Sequence, residues 1–514
     1  MKVGSQYLGN GVCEFTLWSP LKTKAALHLV APEDKLLPMT QTERGYWQLK
    51  TEVEPGTLYY YQLEDGEDRP DPAAHFQPEG VHAASAVIDH SFDWQDSQWS
   101  GVPLEEMIIY ELHVGTFTQA GTFEAIIPRL PDLAQLGVNA IEIMPVAQFP
   151  GDRNWGYDGV YPYAVQNSYG RPEEFKQLVD AAHQQGIAVL LDVVYNHFGP
   201  EGNYIALHGP YFTDTYRTPW GEAINFDDAY SDGVRNYFIE NVIYWLEDYH
   251  IDGLRLDAVH AIYDSGAKHI LQEMAERVEA FSQQVGREFY LIAESDLNDV
   301  RIIRPHEMGG YGNDAQWSDD FHHAVRTVLT QESVGYYADF STCEHIAKAY
   351  QNAFVYNWQY SQFRKRYHGS NTSDRPGEQF VVCIQNHDQI GNRMLGERLT
   401  TLINFEATKL AAGALLLAPY VPLLFMGQEY GDESPFLYFV SHNDPDLLTA
   451  VSEGRKKEFA DFQVEGEFIA PQTMEAFNLS KIDWDIKDDG KHRVLWQLHQ
   501  KLINLRTTIS ALKK

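Results

Sequence analysis

Cysteine is nearly absent: Cys13, Cys343 and Cys383 are the only three in 514 residues. They are too few and too scattered for a disulfide framework, and no pair has the close spacing of a zinc knuckle. No run of about 18 apolar residues occurs, which excludes a membrane-spanning helix, and the opening MKVGSQYLGNGVCEFTLWSP has no apolar signal segment. Cationic residues are scarce beside anionic ones, 39 Lys and Arg against 73 Asp and Glu, for a formal charge of −34. Such a surface repels phosphate backbones and anionic lipid, so neither nucleic acid nor membrane is an expected partner. A neutral substrate is indifferent to that field. Together these absences describe a soluble cytoplasmic protein. Also missing is any GxGxxG or GxxxxGK[ST] turn after a predicted strand, which argues against a doubly wound nucleotide-binding sheet.

What is present is a hydrophobic fraction of 44% with 13% aromatics, enough for large packed cores. Residues 1–95 read as a small antiparallel β-sandwich: short alternating stretches such as EFTLWSP, AALHLVA, YWQLKTEV and LYYYQLED lie between Pro, Gly and Asp turns. A linker, SFDWQDSQWSGVPLEE, ends near residue 104. From 104 to 514 apolar strands alternate with amphipathic helices. The strands are expected at 107–114, 140–146, 188–197, 253–259, 289–294, 381–388 and 422–429, with a weaker one at 314–321. Eight strands, each followed by helix, predict an α/β (β/α)₈ barrel with insertions at about 147–170, 198–232 and 431–485, closed by the helix KHRVLWQLHQKLINLRTTIS.

The stretch GLRLDAVH, 253–260, places Arg255 and Asp257 two apart in an apolar strand, where an ionised group is costly unless paired or used. Alternate residues of a barrel strand face the lumen, so Arg255 and Asp257 share that face. In this fold reactive groups gather at the C-terminal ends of strands. Asn196 and His197 end one strand there, Glu294 another, and Asn386, His387 and Asp388 a third; Glu111 and His113 sit near the end of the first. A lone strand-end acid is usually a helix cap. Three around one pocket suit retaining glycoside hydrolysis, which needs a nucleophilic carboxylate and a carboxylic acid. Arg255 would keep Asp257 ionised, and an apolar strand end would raise the pKa of Glu294. His197 and His387 would donate to sugar hydroxyls. Trp155 and Tyr157 offer flat faces for pyranose stacking, while Tyr161 and Tyr163 are expected to pack beneath their loop. A metal site would use similar residues, but there is no HxH on the first strand and no HExxH; no metal or cofactor is expected.

At these residues the chain resembles the α-amylase superfamily, through DVVYNH (192–197), GLRLDAVH (253–260), LIAESD (291–296) and IQNHDQIGNR (384–393). The resemblance implies Asp257 as nucleophile, Glu294 as general acid/base and Asp388 as transition-state stabiliser. It implies Arg255, His197 and His387 against the −1 sugar, with Tyr157 stacked under it. Within the superfamily the chain is similar to the maltooligosyltrehalose trehalohydrolases, through YELHVGTFT, NWGYDGVYPYAVQNSYG, GPYFTDTYRTPWGEAINFD and DAQWSDDFHHA. That likeness implies cleavage of the α-1,4 bond next to a terminal trehalosyl unit, with maltooligosyltrehalose and other α-1,4-glucans as substrates. It extends the expected substrate contacts to His260, Asp314, Gln316, Trp317, Asp319, Asp320, Gln389 and Asn392. The family usually carries a C-terminal β-domain, which is expected to be missing after Lys514. A branching transferase with the same nucleophile and acid is the alternative, and a catalytically silent glycan-binding relative a further one. Such silent relatives usually lose an acid, whereas all three are present here.

Overall fold

The structure is a computed structural model and describes residues 1–460 and 468–512. Eight parallel strands close into a barrel: β1 (Ile109–Leu112), β2 (Ala140–Ile143), β3 (Ala188–Val193), β4 (Gly253–Leu256), β5 (Tyr290–Ala293), β6 (Ala315–Trp317), β7 (Phe380–Cys383) and β8 (Val421–Phe425). Chain order is ring order, and β8 closes on β1 with Leu423 opposite Ile109. The weak expectation at 314–321 is the short strand β6.

Both faces of each strand are buried, which is why the strands read as continuous apolar runs rather than alternating ones. Ile109, Ala140, Ala188, Leu190, Ile292, Ala315, Trp317, Cys383 and Leu423 fill the lumen as one cluster. Val189, Leu191, Leu254, Leu256 and Leu291 point the other way and join the helices in the main core. Gly253 begins β4 where a side chain will not fit: a Cβ there would lie 2.7 Å from the Tyr290 carbonyl oxygen.

Helices follow seven of the strands: α1 (Leu130–Leu136), α2 (Pro172–Gln184), α3 (Ser231–Asp248), α4 (Ile270–Val285), α5 (Asp319–Thr330), α6 (Phe405–Leu416) and α7 (Gly490–Thr508). After β5 the expected helix is replaced by two 3₁₀ turns, Val300–Ile302 and His306–Met308. Pro305 and Gly309, Gly310 and Gly312 break any helical period in that stretch. The insertion at 431–485 carries helices Pro445–Ala460 and Met474–Leu479; its residues 461–467, like Lys513 and Lys514, lie outside the described residues.

The N-terminal strands form two antiparallel sheets, one of four strands including Val12–Trp18 and Tyr46–Glu52, the other of five including Ala25–Ala31 and Leu58–Leu63. Phe15, Leu17, Leu27, Trp47, Tyr59 and Tyr61 pack between them. Val3, Trp18 and Tyr46 from this region merge with the core of the barrel, and the Tyr161 hydroxyl donates to the Val81 carbonyl at 2.7 Å. Tyr161 and Tyr163 are buried, as their loop position suggested. The connecting segment is pinned rather than loose: Trp94 stacks on His250, and Trp99 donates to Asp252 at 2.7 Å. No helix among the described residues is long and apolar enough to cross a membrane.

Candidate active site

The lumen changes character along its axis. Aliphatic side chains fill the N-terminal end; Glu111, Glu142, Asp192 and Arg255 occupy the next layer toward the C-terminal end. Strand register brings Asp192 directly opposite Arg255. Just past β4 the chain turns sharply, because Ala258 adopts a left-handed conformation (φ 41°, ψ 47°), a strained geometry for a residue with a side chain. That kink leaves Asp257 half-buried at the mouth of the barrel.

Arg255 is fully buried and organises the acids around it. Nη1 donates to both carboxylate oxygens of Asp192 at 2.9 Å and to Oδ1 of Asp257 at 2.7 Å. Nη2 lies 3.6 Å from Oε2 of Glu294. Asp257 and Glu294 therefore flank a single guanidinium, which itself rests 4.4 Å above the centre of the Trp317 ring. Asn196 Nδ2 supports the other oxygen of Asp257 at 2.8 Å.

The two acids are driven in opposite directions. Burial works against ionisation of Asp257, yet Arg255, His197 and the Asn196 amide outweigh it and hold the carboxyl below its ordinary range. For Glu294 burial wins; together with the charge of Asp257 it overcomes Arg255 and pushes the carboxyl up to about 8. Burial likewise pushes Asp192 up to about 7 against the pull of Arg255.

A chain of hydrogen bonds leads away from Asp192. The Tyr157 hydroxyl donates to Asp192 Oδ2 at 2.6 Å and lies 2.8 Å from His387 Nε2, while the two rings stack at 5.2 Å. His387 Nδ1 pairs with Glu111, whose other oxygen accepts the His387 amide. Burial alone would lower the imidazole's pKa, but Glu111 and Asp388 bring it up to about 9. Asp388 is the most open of the three acids; His387 Nε2 is 3.6 Å from it and Asn392 Nδ2 donates to it at 3.2 Å.

Asp257, Glu294, Asp388, Arg255, His197, Tyr157, His387, Asn392 and Asp319 thus gather at one end of the barrel. His197 presents no free ring nitrogen: Nδ1 is bonded to Asn196, and Nε2 to the Tyr157 carbonyl oxygen at 2.9 Å. His260 is half-buried beside them, with Nδ1 accepting the Asp296 amide at 3.3 Å. Gln389 is buried, with Oε1 3.4 Å from the Tyr337 hydroxyl.

Five expected contacts are not presented to the cleft: three lie elsewhere, and two are covered by residues of the site itself. Asp314 precedes β6, so it sits at the opposite, N-terminal rim, where Oδ2 accepts the Leu291 amide at 2.8 Å. Gln316 is in register with Ala293 and Phe380, both outward-facing, and so points away from the lumen. Asp320 Oδ2 is spent on the amides of Val355 and Tyr356 and on Asn298. Trp155 is buried behind His387, its indole nitrogen donating to the Leu437 carbonyl at 2.9 Å. Trp317 lies beneath Arg255 with almost no exposure.

Two further residues belong to the site. Glu142 is fully buried in the lumen with both carboxylate oxygens unpartnered, and burial raises its pKa well above the ordinary range. Alternation along AIEI would have found it, since Ala140 and Glu142 share a face. Trp220, from the stretch TPWGEA, stacks on His197 at 4.7 Å and 8° and is exposed on its other face.

The profile of the alpha amylase catalytic domain matches residues 90–218 and 227–512. Seven curated proteins named malto-oligosyltrehalose trehalohydrolase are 41–49% identical to the chain. The chain belongs to the α-amylase family, among the malto-oligosyltrehalose trehalohydrolases. The protein of that name from Saccharolobus solfataricus is 49% identical over 96% of this chain and 84% of its own length. A 1,4-alpha-glucan branching enzyme from Pseudoalteromonas atlantica is 30% identical over 62% of this chain. Among solved structures, the putative alpha amylase from Salmonella typhimurium superposes with a TM-score of 0.93 at 42% identity, covering 99% of this chain and 86% of the other.

Proposed function

We propose that this chain hydrolyses the α-1,4-glucosidic bond next to the terminal trehalosyl unit of maltooligosyltrehalose and releases trehalose with retention of configuration. Other α-1,4-glucans are poorer substrates of the same site. The observation that carries the reading is the pair of acids flanking Arg255, one held ionised and one held protonated.

In this mechanism Asp257 attacks the anomeric carbon of the −1 glucose as Glu294 gives its proton to the departing trehalose oxygen. The result is a glycosyl ester on Asp257 and free trehalose. Glu294, now a carboxylate, takes a proton from water; the water oxygen bonds to the anomeric carbon and the ester breaks, restoring both acids. Asp388 and the charged His387 beside it face the ring where positive charge develops and hydroxyls need fixing. The open carboxylate of Asp319 accepts hydroxyls of the trehalosyl unit and favours it over a plain reducing end. Residues 1–95 serve as a sandwich flanking the catalytic barrel of 104–514, and the acidic, cysteine-poor chain works in the cytoplasm.

Incubation with maltotriosyltrehalose tests the reading. Trehalose and the α-anomer of maltotriose are the expected initial products. Folded protein that forms new α-1,6 branch points on amylose and no trehalose would make it the branching transferase instead.

A further inference from the structure

The loop after β6 and α5 returns as a β-hairpin, Asn357–Ser361 paired with Arg366–Gly369. The ladder slips between Asn357 and Gln359, and the residue at the slip is Trp358. Its φ is +54°, a left-handed conformation that a bulky side chain rarely adopts. The bulge turns the indole outward, and it is 70% exposed. Neither core packing nor a hydrogen bond accounts for keeping a tryptophan there. Tyr367, 57% exposed, lies beside it with ring centres 5.8 Å apart and planes within 27°. The two rings form a tilted, stacked aromatic platform that is largely open to water.

A cavity of about 460 Å³ adjoins the platform, within the size range of small-ligand sites. Its polar lining comes from the segment after β5, with Asp299, Arg301 and Arg304, and from the hairpin and the residue after it, with Arg366, His368 and Ser370. Arg301 is bonded to both oxygens of Asp299, and Arg304 to Asp374. Flat aromatic faces beside fixed guanidinium donors and carboxylate acceptors suit a pyranose, which offers an apolar ring face and a rim of hydroxyls. The platform is also continuous with the catalytic end of the barrel. The turn of the same hairpin carries Arg364, whose guanidinium grips both oxygens of Asp296 at 2.6 and 2.5 Å, two residues from Glu294.

We propose that Trp358 and Tyr367, with the adjoining cavity, form a second α-glucan-binding site on the outer face of this hairpin, apart from the site that cleaves. It engages the distal part of long chains. The proposal rests on the reading of the enzyme as acting on α-glucans, and its test is separable from that reading.

Native-gel retardation by long-chain amylose, together with kcat/KM on maltotriosyltrehalose and on a trehalosyl-ended chain of about 20 glucoses, makes the test. Trp358→Gly removes the platform while supplying the residue that the left-handed φ favours, so folding is preserved or improved. Trp358→Phe keeps a flat face. The Gly variant should lose retardation and reduce kcat/KM on the long substrate several-fold, with the short substrate unchanged; the Phe variant should retain most of both. Equal retardation of wild type and the Gly variant overturns the second site. So does a concentration-dependent dimer that Trp358→Gly dissolves, which would make the platform a protein contact. Absence of trehalose from the short substrate would instead overturn the function itself.

Discussion

The carboxylate of Glu294 accepts a hydrogen bond from the amide of Ala258 at 2.6 Å, which ties the candidate acid to the residue directly after the candidate nucleophile. The contact uses Oε2, the oxygen that also faces Arg255. Oε1 remains to carry the proton. The left-handed turn at Ala258 therefore does two things: it ends β4 so that Asp257 reaches the mouth, and it aims an N–H that orients Glu294. One strained residue couples both halves of the reaction.

The coupling predicts a pH profile. Glu294 must be protonated to act, and burial holds its pKa near 8, so kcat/KM should fall as pH rises through about 8. Asp257 must be ionised, and its carboxyl is held low, so the acid limb should lie below the ordinary carboxylate range. Glu294→Gln should erase the alkaline limb and leave a small residual rate. That rate should be recovered best on a substrate with an activated aryl leaving group, which needs no protonation. A wild-type alkaline limb that survives in Glu294→Gln would assign it to another group.

Asp257→Asn should lower kcat by several orders of magnitude and leave the fold intact. The amide cannot form the glycosyl ester, whereas Arg255 keeps its two bonds to Asp192 and its place over Trp317. Circular dichroism and thermal melting should match the wild type. Loss of activity accompanied by loss of structure would mean that Asp257 mainly neutralises Arg255.

Glu111 holds His387 as an imidazolium, and this has a consequence for stability. Because the folded pKa of His387 is raised to about 9, the stabilisation from its charged pairing is fully present below the ordinary histidine value and is lost as pH rises through 9. Glu111→Gln removes the partner. The variant should melt lower than the wild type at pH 6–7, and the gap should close toward pH 10. Its kcat should fall more than its KM rises, since His387 would lose the charge that fixes Tyr157. A melting gap that stays constant with pH would reduce Glu111 to a packing residue.

How far the sequence reveals this site depends on which neighbours decide each residue. Strand-end placement and two-residue alternation place Arg255, Asp257 and Glu294, because lumen orientation follows from the strand alone; Asp388 lies beyond the end of β7, in the short helix His387–Gly391. The contacts that the family resemblance implies at Asp314 and Gln316 depend instead on where β6 lies: it spans only Ala315–Trp317, so Asp314 lies at the far rim and Gln316 on the outer face. Trp155 is covered by distant parts of the chain. Its burial comes from Phe436 and Leu437, nearly 300 positions away, which no local pattern records. The missing helix after β5 is legible in Pro305 and its following glycines, which break the helical period that the barrel repeat predicts there.

Asp319 and Asp320 look interchangeable in SDDFHH, and the structure separates them. Asp319 opens α5 from the lumen side, half-exposed, and among the described residues none hydrogen-bonds its carboxylate; burial, with Asp388, pushes its pKa up to about 7. Asp320 is buried and bonded to two backbone amides and Asn298. Asp319→Ala should therefore leave the melting temperature unchanged and reduce the preference for trehalosyl-ended over plain maltooligosaccharides, measured as a ratio of kcat/KM. Asp320→Ala should do the reverse. Stranding two buried amides costs about 2–4 kcal/mol of stability, with selectivity retained in the protein that stays folded. If both variants changed selectivity equally without destabilisation, the division of labour between the two aspartates would be wrong, and recognition of the trehalosyl unit would have to come from other residues, with the exposed face of Trp220 the first to test.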